Sequence, residues 1–373
     1  MIGGGSSAIQ IVPVLQKIEG VKLTTFVRSK TWISNPFGDA AMEKLGLDPK
    51  DLEFSSEKRK EFVEDPKKLY EFRKIIETDV NTIHDVTFQG SEMQKGAMDA
   101  FRRMMKERLA KKPEIADILT PSFAVGCRRL TPGPGYLEAL VEDNVEFVSE
   151  KIASINQQGI ILETGREVEV DVLVCATGFN TSFRPPFELR GEHGISLQEQ
   201  FAPFPKAYLS VATSNFPNFF MMLGPNSAIG TGSLTMMIES MGDYITKCIR
   251  KLQKEDYVSM TVKQSRVEDF SDYCHEYFKG TVYMDECNSW YRTEDGKGAR
   301  ITALWPGSTL HCIEALRAPR WEDFEFESKT ENKLAWLGNG WSSTQIGDGG
   351  DPAWYVKEET EDYEEYKRRP FSH

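Results

Sequence analysis

The chain has 373 residues, which is enough for two or three domains with cores of their own. Hydrophobic residues make up 40% of the chain and charged residues 27%, which is an ordinary composition for a globular protein. The formal net charge of -12 argues against nucleic acid or an anionic membrane surface as a partner, because both would repel the chain. No stretch approaches the roughly 20 apolar residues that span a bilayer, and no secretory signal opens the chain. We therefore expect a cytoplasmic protein whose anion sites are local basic clusters.

The spacing of the cysteines indicates neither a metal site nor a redox-active disulfide. They form no CxxC or C-x4-C pair and are widely separated, at Cys127, Cys175, Cys248, Cys274, Cys287 and Cys312. Close spacing is what indicates a zinc site or a redox disulfide in a sequence. The sequence therefore predicts reduced thiols and no metal site.

The first predicted element is a glycine turn. Only two residues precede GGGSSA at 3–8, which has the G-x-G-x-x-A spacing of a dinucleotide-binding turn. In such a turn Gly3 allows the tight bend, Gly5 lets the backbone approach a pyrophosphate, and Ala8 lets the next helix pack closely. A glycine-rich loop before any helix would have the same composition. Because the strand before the turn is a stub, we expect an N-terminally truncated sequence.

A helix and a strand follow. Residues 6–18 are predicted to be helical, and the first N–H groups, at Ser6 and Ser7, would face the phosphates. Residues 21–27 have the composition of a strand, which completes the latter part of a βαβ unit.

The end of this strand indicates which nicotinamide cofactor is bound. An NAD site would place an acidic residue here on the ribose hydroxyls, whereas this chain has Arg28-Ser29-Lys30. A guanidinium can pair with a 2′-phosphate through two hydrogen bonds. Arg28 therefore favours NADP(H), although a surface arginine ending a strand is the alternative.

The middle of the chain changes in character. Residues 56–118 read as charged amphipathic helices with solvated faces, inserted beside the nucleotide domain. The predicted strands and helices after this insertion are strands at 145–148, 151–155, 159–162 and 167–176, and helices at 231–252 and 264–284. The last strand becomes a continuous apolar run, which is typical of a strand entering a buried sheet. From about residue 325 the chain becomes acidic and Gly-rich.

Two further loops are rich in small residues. Ala176-Thr177-Gly178 follows the apolar strand, and Gly224-Pro225-Asn226 leads through Gly230-Thr231-Gly232 into a helix. Such loops can present N–H groups to a phosphate or a flavin carbonyl. Each could also be an ordinary turn.

Taken in order, these motifs resemble those of class B flavoprotein monooxygenases, and among them the fungal Baeyer–Villiger-type enzymes of secondary metabolism. The resemblance rests on GGGSSA, FVRSKTWI, GCRRLTPGPGYLEAL, DVLVCATGF, FFMMLGPNSAIGTGSL and the segment from SWYRTEDGKG to CIEALR. It extends to about residue 325. Several motifs in the same order are far more specific than one glycine turn.

The resemblance implies roles for the basic residues. The glycine turn matches the second nucleotide motif of these enzymes, the one for NADPH. Arg28, together with Ser29, would hold the 2′-phosphate, and Arg128 matches a basic residue near that phosphate. Arg129 matches the arginine that reaches the flavin and stabilises the peroxyflavin anion, a task that suits a fixed cation. A salt-bridged arginine pair at the end of a strand is the alternative.

The resemblance also assigns the small-residue loops. Ala176, Thr177 and Gly178 match the ATG motif, where the chain returns toward the FAD domain. Asn226 would line the edge of the flavin. Trp290 would lie near the nicotinamide and the substrate.

The implied fold is α/β: a Rossmann-type NADPH domain with a helical insertion plus the C-terminal part of an FAD-binding domain, an incomplete flavoprotein with two dinucleotide-binding domains. The expected divisions are 1–175 for NADPH with the insertion at about 50–120, 176–262 for FAD, 263–330 on the substrate side and 331–373 as a Gly-rich, acidic tail. The family's first glycine turn and its F-x-G-x-x-x-H-x-x-x-W/P fingerprint are absent. We therefore expect this chain alone to bind FAD poorly and NADPH weakly.

The implied activity is FAD- and NADPH-dependent insertion of oxygen from O2 beside a ketone carbonyl. The aromatic residues between 264 and 320 suggest a bulky or aromatic ketone. Oxygenation of nitrogen or sulfur, or a non-catalytic NADP-binding or interaction module from a truncated gene, are the alternatives. A disulfide reductase is disfavoured because no cysteine pair is apparent. The oligomeric state is not indicated.

Overall fold

A computed structural model describes residues 1–35, 38–48, 53–347, 350–353 and 355–356. Its α-helices are α1 Ser6–Leu15, α2 Asp39–Lys44, α3 Ser56–Glu64, α4 Pro66–Thr82, α5 Glu92–Arg108, α6 Pro113–Leu119, α7 Tyr136–Leu140, α8 Leu197–Gln200, α9 Leu234–Lys254, α10 Gln264–Phe278, α11 Thr293–Gly296, α12 Thr309–Ala315 and α13 Ser343–Ile346. Its strands are β1 Leu23–Phe26, β2 Ile33–Ser34, β3 Thr131–Pro132, β4 Val145–Val148, β5 Ile152–Ile155, β6 Gly159–Leu162, β7 Glu167–Glu169, β8 Tyr257–Val262 and β9 Phe324–Ser328. Short 3-10 helices lie at His84–Thr87, Glu192–Gly194, Val282–Met284, Trp321–Asp323 and Ala335–Leu337.

A small parallel sheet contains the N-terminus. Ile2 pairs in parallel with Phe26 on one side and Cys175 on the other, and β1 pairs in parallel with β4. The Ala176 N–H donates to the carbonyl of Ile2 over 2.8 Å. The residues before the glycine turn thus form the central position of a four-membered sheet, and the predicted order of strand, turn and helix is confirmed.

Helix α1 covers one face of this sheet. It ends at Leu15, rather than at residue 18 as predicted, and buries Ala8, Ile9, Val12 and Pro13. Of these, Ala8, Ile9 and Val12 belong to a core that also contains buried residues of β1, α5, α6 and α7. This core fixes where α1 begins, and therefore where the glycine turn lies.

The predicted helical insertion is present between β2 and β3. Helices α3 and α4 have no buried residues, as expected for solvated charged helices. Helices α5 and α6 instead contribute buried apolar side chains to the core beside α1, among them Met105 and Leu119. The second half of the insertion is therefore part of the nucleotide-side core.

A second core lies around α9, α10 and the antiparallel pair β8–β9. The predicted helices at 231–252 and 264–284 correspond to α9 and α10, although α10 ends at Phe278. Strand β9 falls where the sequence indicated the start of an acidic, Gly-rich region. It forms because Phe324 and the half-buried Phe326 pack against this core, whereas Glu325 and Glu327 are exposed.

The predicted buried strand at 167–176 is wrong in most of its length. Only Glu167–Glu169 are a strand, and Val172 is 74% exposed. Within the described residues, the end of this segment pairs with Ile2 alone, by a single bridge at Cys175. A strand buried on both faces needs covering layers that an apolar sequence run cannot reveal.

The last part of the chain has little core. Leu334 and Trp341 are 61% and 64% exposed, and the predicted tail at 331–373 includes residues 357–373, which lie outside the described residues. No helix in the ranges given above combines the length and the apolarity needed to cross a bilayer.

Candidate functional site

The glycine turn is held tightly by its neighbours. Gly3 has φ +126°, and a Cβ added there would lie 2.3 Å from the carbonyl oxygen of Ala176. A Cβ on Gly4 would lie 2.6 Å from Cγ1 of Val27. The motif G-x-G requires glycine at Gly3 but allows any residue at the middle position. The sequence alone therefore did not show that Gly4 is also too crowded for a side chain.

The start of α1 is open where the motif requires it. Gly5 caps the helix with extended backbone, and a Cβ on it would meet no atom within 4 Å. Ser7 is exposed, whereas Ala8 is fully buried against the core. The hydroxyl of Ser6 shares a hydrogen bond of 2.5 Å with that of Thr131. The first turn of α1 therefore faces free space while its underside is packed.

Arg28 lies beside this opening. The Gly3 N–H donates to the carbonyl of Phe26 over 3.0 Å, so the turn lies at the carboxyl end of β1. Arg28 follows two residues later and is exposed, and Ser29 is half-buried. The parallel pairing thus brings the glycine turn and Arg28 to the same edge of the sheet.

A second parallel pairing brings the two other arginines to this edge. Strands β2 and β3 pair with Ile33 opposite Thr131, which aligns the segments that precede them. Nη1 of Arg128 donates to the carbonyl of Lys30 over 2.9 Å, and burial lowers the pKa of this guanidinium. Arg129 is exposed. Arg128 is therefore fixed against the loop that carries Arg28.

These cations form a local basic cluster at the sheet edge. Within the described residues, no carboxylate pairs with Arg28, Lys30, Arg128 or Arg129. The chain as a whole has a formal net charge of -12. Cations without a carboxylate partner in an acidic protein favour the approach of an anionic group.

Arg129 leads from this cluster toward the second core. Burial raises the pKa of the Tyr291 hydroxyl, and the adjacent Arg129 guanidinium partly opposes this shift. The ring of Trp290 lies 4.8 Å from that of Tyr291, between centroids, and is 40% exposed. Trp290 and Arg129 therefore both lie next to the buried Tyr291.

The side-chain amide of Asn226 is hydrogen-bonded to the protein backbone. Its Nδ2 donates to the carbonyls of Ile301 and Leu304 over 3.0 and 2.9 Å, and its backbone N–H donates to Thr302 over 2.7 Å. The residue is 6% exposed with φ +62°. Since Thr302 N–H donates to the Tyr291 carbonyl over 2.9 Å, Asn226 is two contacts away from the tyrosine beside Arg129.

The ATG loop is brought to the glycine turn and not to Asn226. The backbone of Ala176 lies against Gly3, as described above, whereas Thr177 and Gly178 are exposed. No hydrogen bond within the described ranges joins Thr177 or Gly178 to Asn226. Direct hydrogen bonds therefore do not join these two small-residue loops to each other.

Comparison with curated proteins gives fungal relatives. The FAD-binding monooxygenase tazF of Aspergillus terreus is 37% identical over 358 residues, which is 95% of this chain and 63% of the relative. The FAD-binding monooxygenase moxY of Dothistroma septosporum is 35% identical, over 92% of this chain and 53% of the relative. The FAD-binding monooxygenase stcW of Emericella nidulans is also 35% identical, over 92% and 55%. No family model matches.

The chain is a homologue of fungal FAD-binding monooxygenases. This confirms the predicted relationship. The chain spans a little over half to under two thirds of the length of these relatives. The predicted truncation and the predicted domain boundaries stay predictions.

Two solved structures of other monooxygenases have a fold similar to that of this chain. The cyclohexanone monooxygenase from Rhodococcus sp. Phi1 bound to NADP+ superimposes with a TM-score of 0.71 at 22% identity, over 88% of this chain and 66% of that one. An oxidised steroid monooxygenase bound to NADP superimposes with a TM-score of 0.65 at 23% identity, over the same shares. The predicted α/β flavoprotein fold is confirmed.

The structure does not support the expectation of a bulky or aromatic substrate that the aromatic residues suggested. Six aromatic side chains were expected to favour a bulky ketone: Tyr277, Phe278, Tyr283, Trp290, Tyr291 and Trp305. Four of them are at most 4% exposed and belong to the second core, the exceptions being Tyr277 and Trp290. Because these four side chains are part of the core, their number gives no support for a bulky substrate, and the substrate class stays a prediction.

The prediction of reduced thiols throughout is wrong for two cysteines of this monooxygenase homologue. Cys127 and Cys287 form a disulfide across 160 residues of sequence. Cys175, Cys248, Cys274 and Cys312 are free. The pair was missed because sequence spacing indicates only local pairs, whereas this one is made by the packing of one loop against another.

Proposed function

We propose that this chain forms the NADP-binding part of an FAD-dependent monooxygenase that inserts oxygen beside a ketone carbonyl in secondary metabolism. The observation that carries the proposal is the meeting of the glycine turn, Arg28 and the pair Arg128-Arg129 at one edge of a parallel sheet. Ligands of such sheets bind outside the carboxyl ends of the strands. Homology to FAD-binding monooxygenases supports the same conclusion.

The residues of this edge fit NADPH. The open space at Gly5 and the free N–H groups of the first turn of α1, at Ser6 and Ser7, can accept a pyrophosphate. The exposed Arg28 guanidinium, with Ser29 beside it, can pair with a 2′-phosphate. Their roles in the proposal are therefore binding and orientation.

Arg128 and Arg129 have different surroundings and different proposed roles. Arg128 is half-buried and held by the carbonyl of Lys30, so it supplies a fixed positive charge near the 2′-phosphate. Arg129 is exposed beside Tyr291, which it contacts by a side-chain hydrogen bond, and in the proposal its cation stabilises negative charge that develops during the reaction. Trp290, also partly exposed, would contact the nicotinamide or the substrate.

FAD fits this chain only in part. The chain has one G-x-G-x-x-A turn and no second turn of this kind for another dinucleotide. The exposed loop at Thr177 and Gly178 can approach a flavin, whereas the amide of Asn226 is already paired with two carbonyls. In the proposed reaction a ketone, O2, NADPH and a proton become an ester, water and NADP+, with bound FAD supplying the activation of oxygen.

Replacing Arg28 by alanine is expected to weaken NADP+ binding about 10-fold, which corresponds to the loss of about 1.4 kcal/mol from a charge-assisted contact. NAD+ lacks the 2′-phosphate, so its affinity should not change. Isothermal titration calorimetry of the chain with each nucleotide measures both affinities. High protein concentrations suit the weak binding expected of the isolated chain.

Lys22→Ala is the matched control for this substitution. Lys22 is an exposed cation just before β1, at the opposite end of the same strand. Its removal changes the net charge equally without touching the proposed site. Equal affinity of the unaltered chain for NADP+ and NAD+, or the same loss in both variants, would contradict the proposed function.

A further inference from the structure

The loop that carries Arg128 and Arg129 lies between the two cores. Its consecutive residues Ala124 and Val125 belong to different ones, Ala124 to the core around α9 and α10 and Val125 to the core around α1. The Val125 carbonyl also accepts a hydrogen bond of 2.8 Å from Nε2 of the buried Gln94. The position of the two arginines therefore depends on how this loop is held on both sides.

On one side, a side-chain hydrogen bond and a backbone strand pairing hold the loop to the nucleotide edge. Arg128 donates to the Lys30 carbonyl, and β3, which begins at Thr131, pairs with β2. On the other side, the Ala124 N–H donates to Oδ2 of Asp285 over 2.7 Å. The loop thus connects the proposed 2′-phosphate site with the segment that contains Trp290.

The Cys127–Cys287 disulfide adds a covalent link on this second side. Cys127 directly precedes Arg128, and Cys287 lies two residues beyond Asp285. Both cysteines are buried, with 0% and 7% exposure. Asp285 is itself held, since its carbonyl accepts a hydrogen bond of 3.1 Å from Nη1 of Arg292. If the Cys127–Cys287 S–S bond were cleaved, the loop that carries Arg128 and Arg129 would be held to the second core by packing and by the hydrogen bond from Ala124 to Asp285.

We propose that the Cys127–Cys287 disulfide is a redox-sensitive clasp that positions Arg128 for the 2′-phosphate of the nucleotide and holds Arg129 beside Tyr291, an inference that rests on the proposed function. A dithiol reductant opens it: two electrons and two protons pass to the cysteine sulfurs, the S–S bond breaks, and the reductant becomes a disulfide. The opened loop holds its guanidinium groups in a broader range of positions. Reduction therefore lowers the affinity for NADP+ while leaving that for NAD+ in place.

The test compares the oxidised chain, the chain reduced with dithiothreitol, and a C127A/C287A variant that can form no clasp. Alkylation and mass spectrometry count the free thiols, and all titrations are done where circular dichroism shows each form folded. In the oxidised chain we expect four free thiols and a preference for NADP+ over NAD+. The preference should fall about 10-fold in the reduced chain and in the variant, as expected for misplaced binding groups.

Two controls separate positioning from general damage. Cys312 is a buried free cysteine of the second core, so C312A should keep the preference and respond to dithiothreitol as the unaltered chain does. C127A/C287A should not respond, which also excludes an effect through the exposed Cys175. Hydrogen exchange of peptides covering residues 122–131 should quicken on reduction independently of any nucleotide.

The outcomes distinguish the two proposals. Failure of the oxidised chain to prefer NADP+ contradicts the proposed function and the clasp together. A preference that survives reduction and C127A/C287A, unchanged exchange of residues 122–131, or six free thiols in the oxidised chain overturns the clasp alone. Equal losses for NADP+ and NAD+ would make the disulfide a structural staple and also overturn it.

Discussion

Replacing Gly3 by alanine is expected to lower the free energy of unfolding by about 3 kcal/mol or more and to abolish NADP+ binding. The backbone there has φ +126°, and the new Cβ would lie 2.3 Å from the carbonyl oxygen of Ala176. Relief requires moving one of two paired strands, because Ala176 N–H also donates to Ile2. Urea titration followed by circular dichroism measures the stability, and calorimetry the binding.

Gly5→Ala separates stability from binding in the same turn. Gly5 has φ -92°, and a Cβ added there would meet no atom within 4 Å, so the free energy of unfolding should change by no more than about 0.5 kcal/mol. NADP+ binding should still weaken, because the methyl group occupies the space proposed for the pyrophosphate. Equal stability losses in G3A and G5A, or full binding by G5A, would contradict this account of the turn.

The turn shows what a sequence can predict about such a site. Gly3, Gly5 and Ala8 are required by local geometry, and local geometry is encoded within six residues of chain. The structure bears out their surroundings one by one: crowding at Gly3, open space at Gly5 and complete burial at Ala8. The position of Arg28 just after a short strand was predictable for the same reason, since the parallel pairing of that strand with Ile2 belongs to the same unit. Its role in binding stays a prediction.

Features that depend on distant packing could not be predicted in this way. The Cys127–Cys287 disulfide needs two loops 160 residues apart to meet, and nothing near either cysteine indicates the other. The burial of Tyr283 and Tyr291 depends equally on elements remote in sequence. For such residues the sequence gives the chemical groups that are present. Tertiary contacts decide whether those side chains face a site or fill a core.

Asn226 illustrates the same limit in a residue that the family resemblance assigned to the flavin edge. We expect Asn226→Ala to lower the free energy of unfolding by about 3 kcal/mol, since two buried carbonyls lose their donor and alanine disfavours the left-handed backbone. The carbonyls belong to Ile301 and Leu304, and φ is +62°. Asn226→Gly also loses the amide, but glycine adopts the left-handed backbone without strain. The free energy of unfolding should therefore fall by about 2 kcal/mol in this variant. Urea titration of both variants measures the two contributions.

Asn218→Ala is the matched control, because Asn218 also has a left-handed backbone, φ +58°, and donates through Nδ2 to a carbonyl, that of Val258 over 3.0 Å. Its Oδ1 also accepts a hydrogen bond of 3.0 Å from the N–H of Met260. Because Asn218 itself is exposed, water can reach the partners it would leave, and the cost should be about 1 kcal/mol. A stability loss in N226A no larger than in N218A would show that the Asn226 amide does not hold the 301–304 segment. Its side chain would then be free for the flavin contact that the family resemblance implies, and the structural role argued from its two carbonyl partners would be wrong.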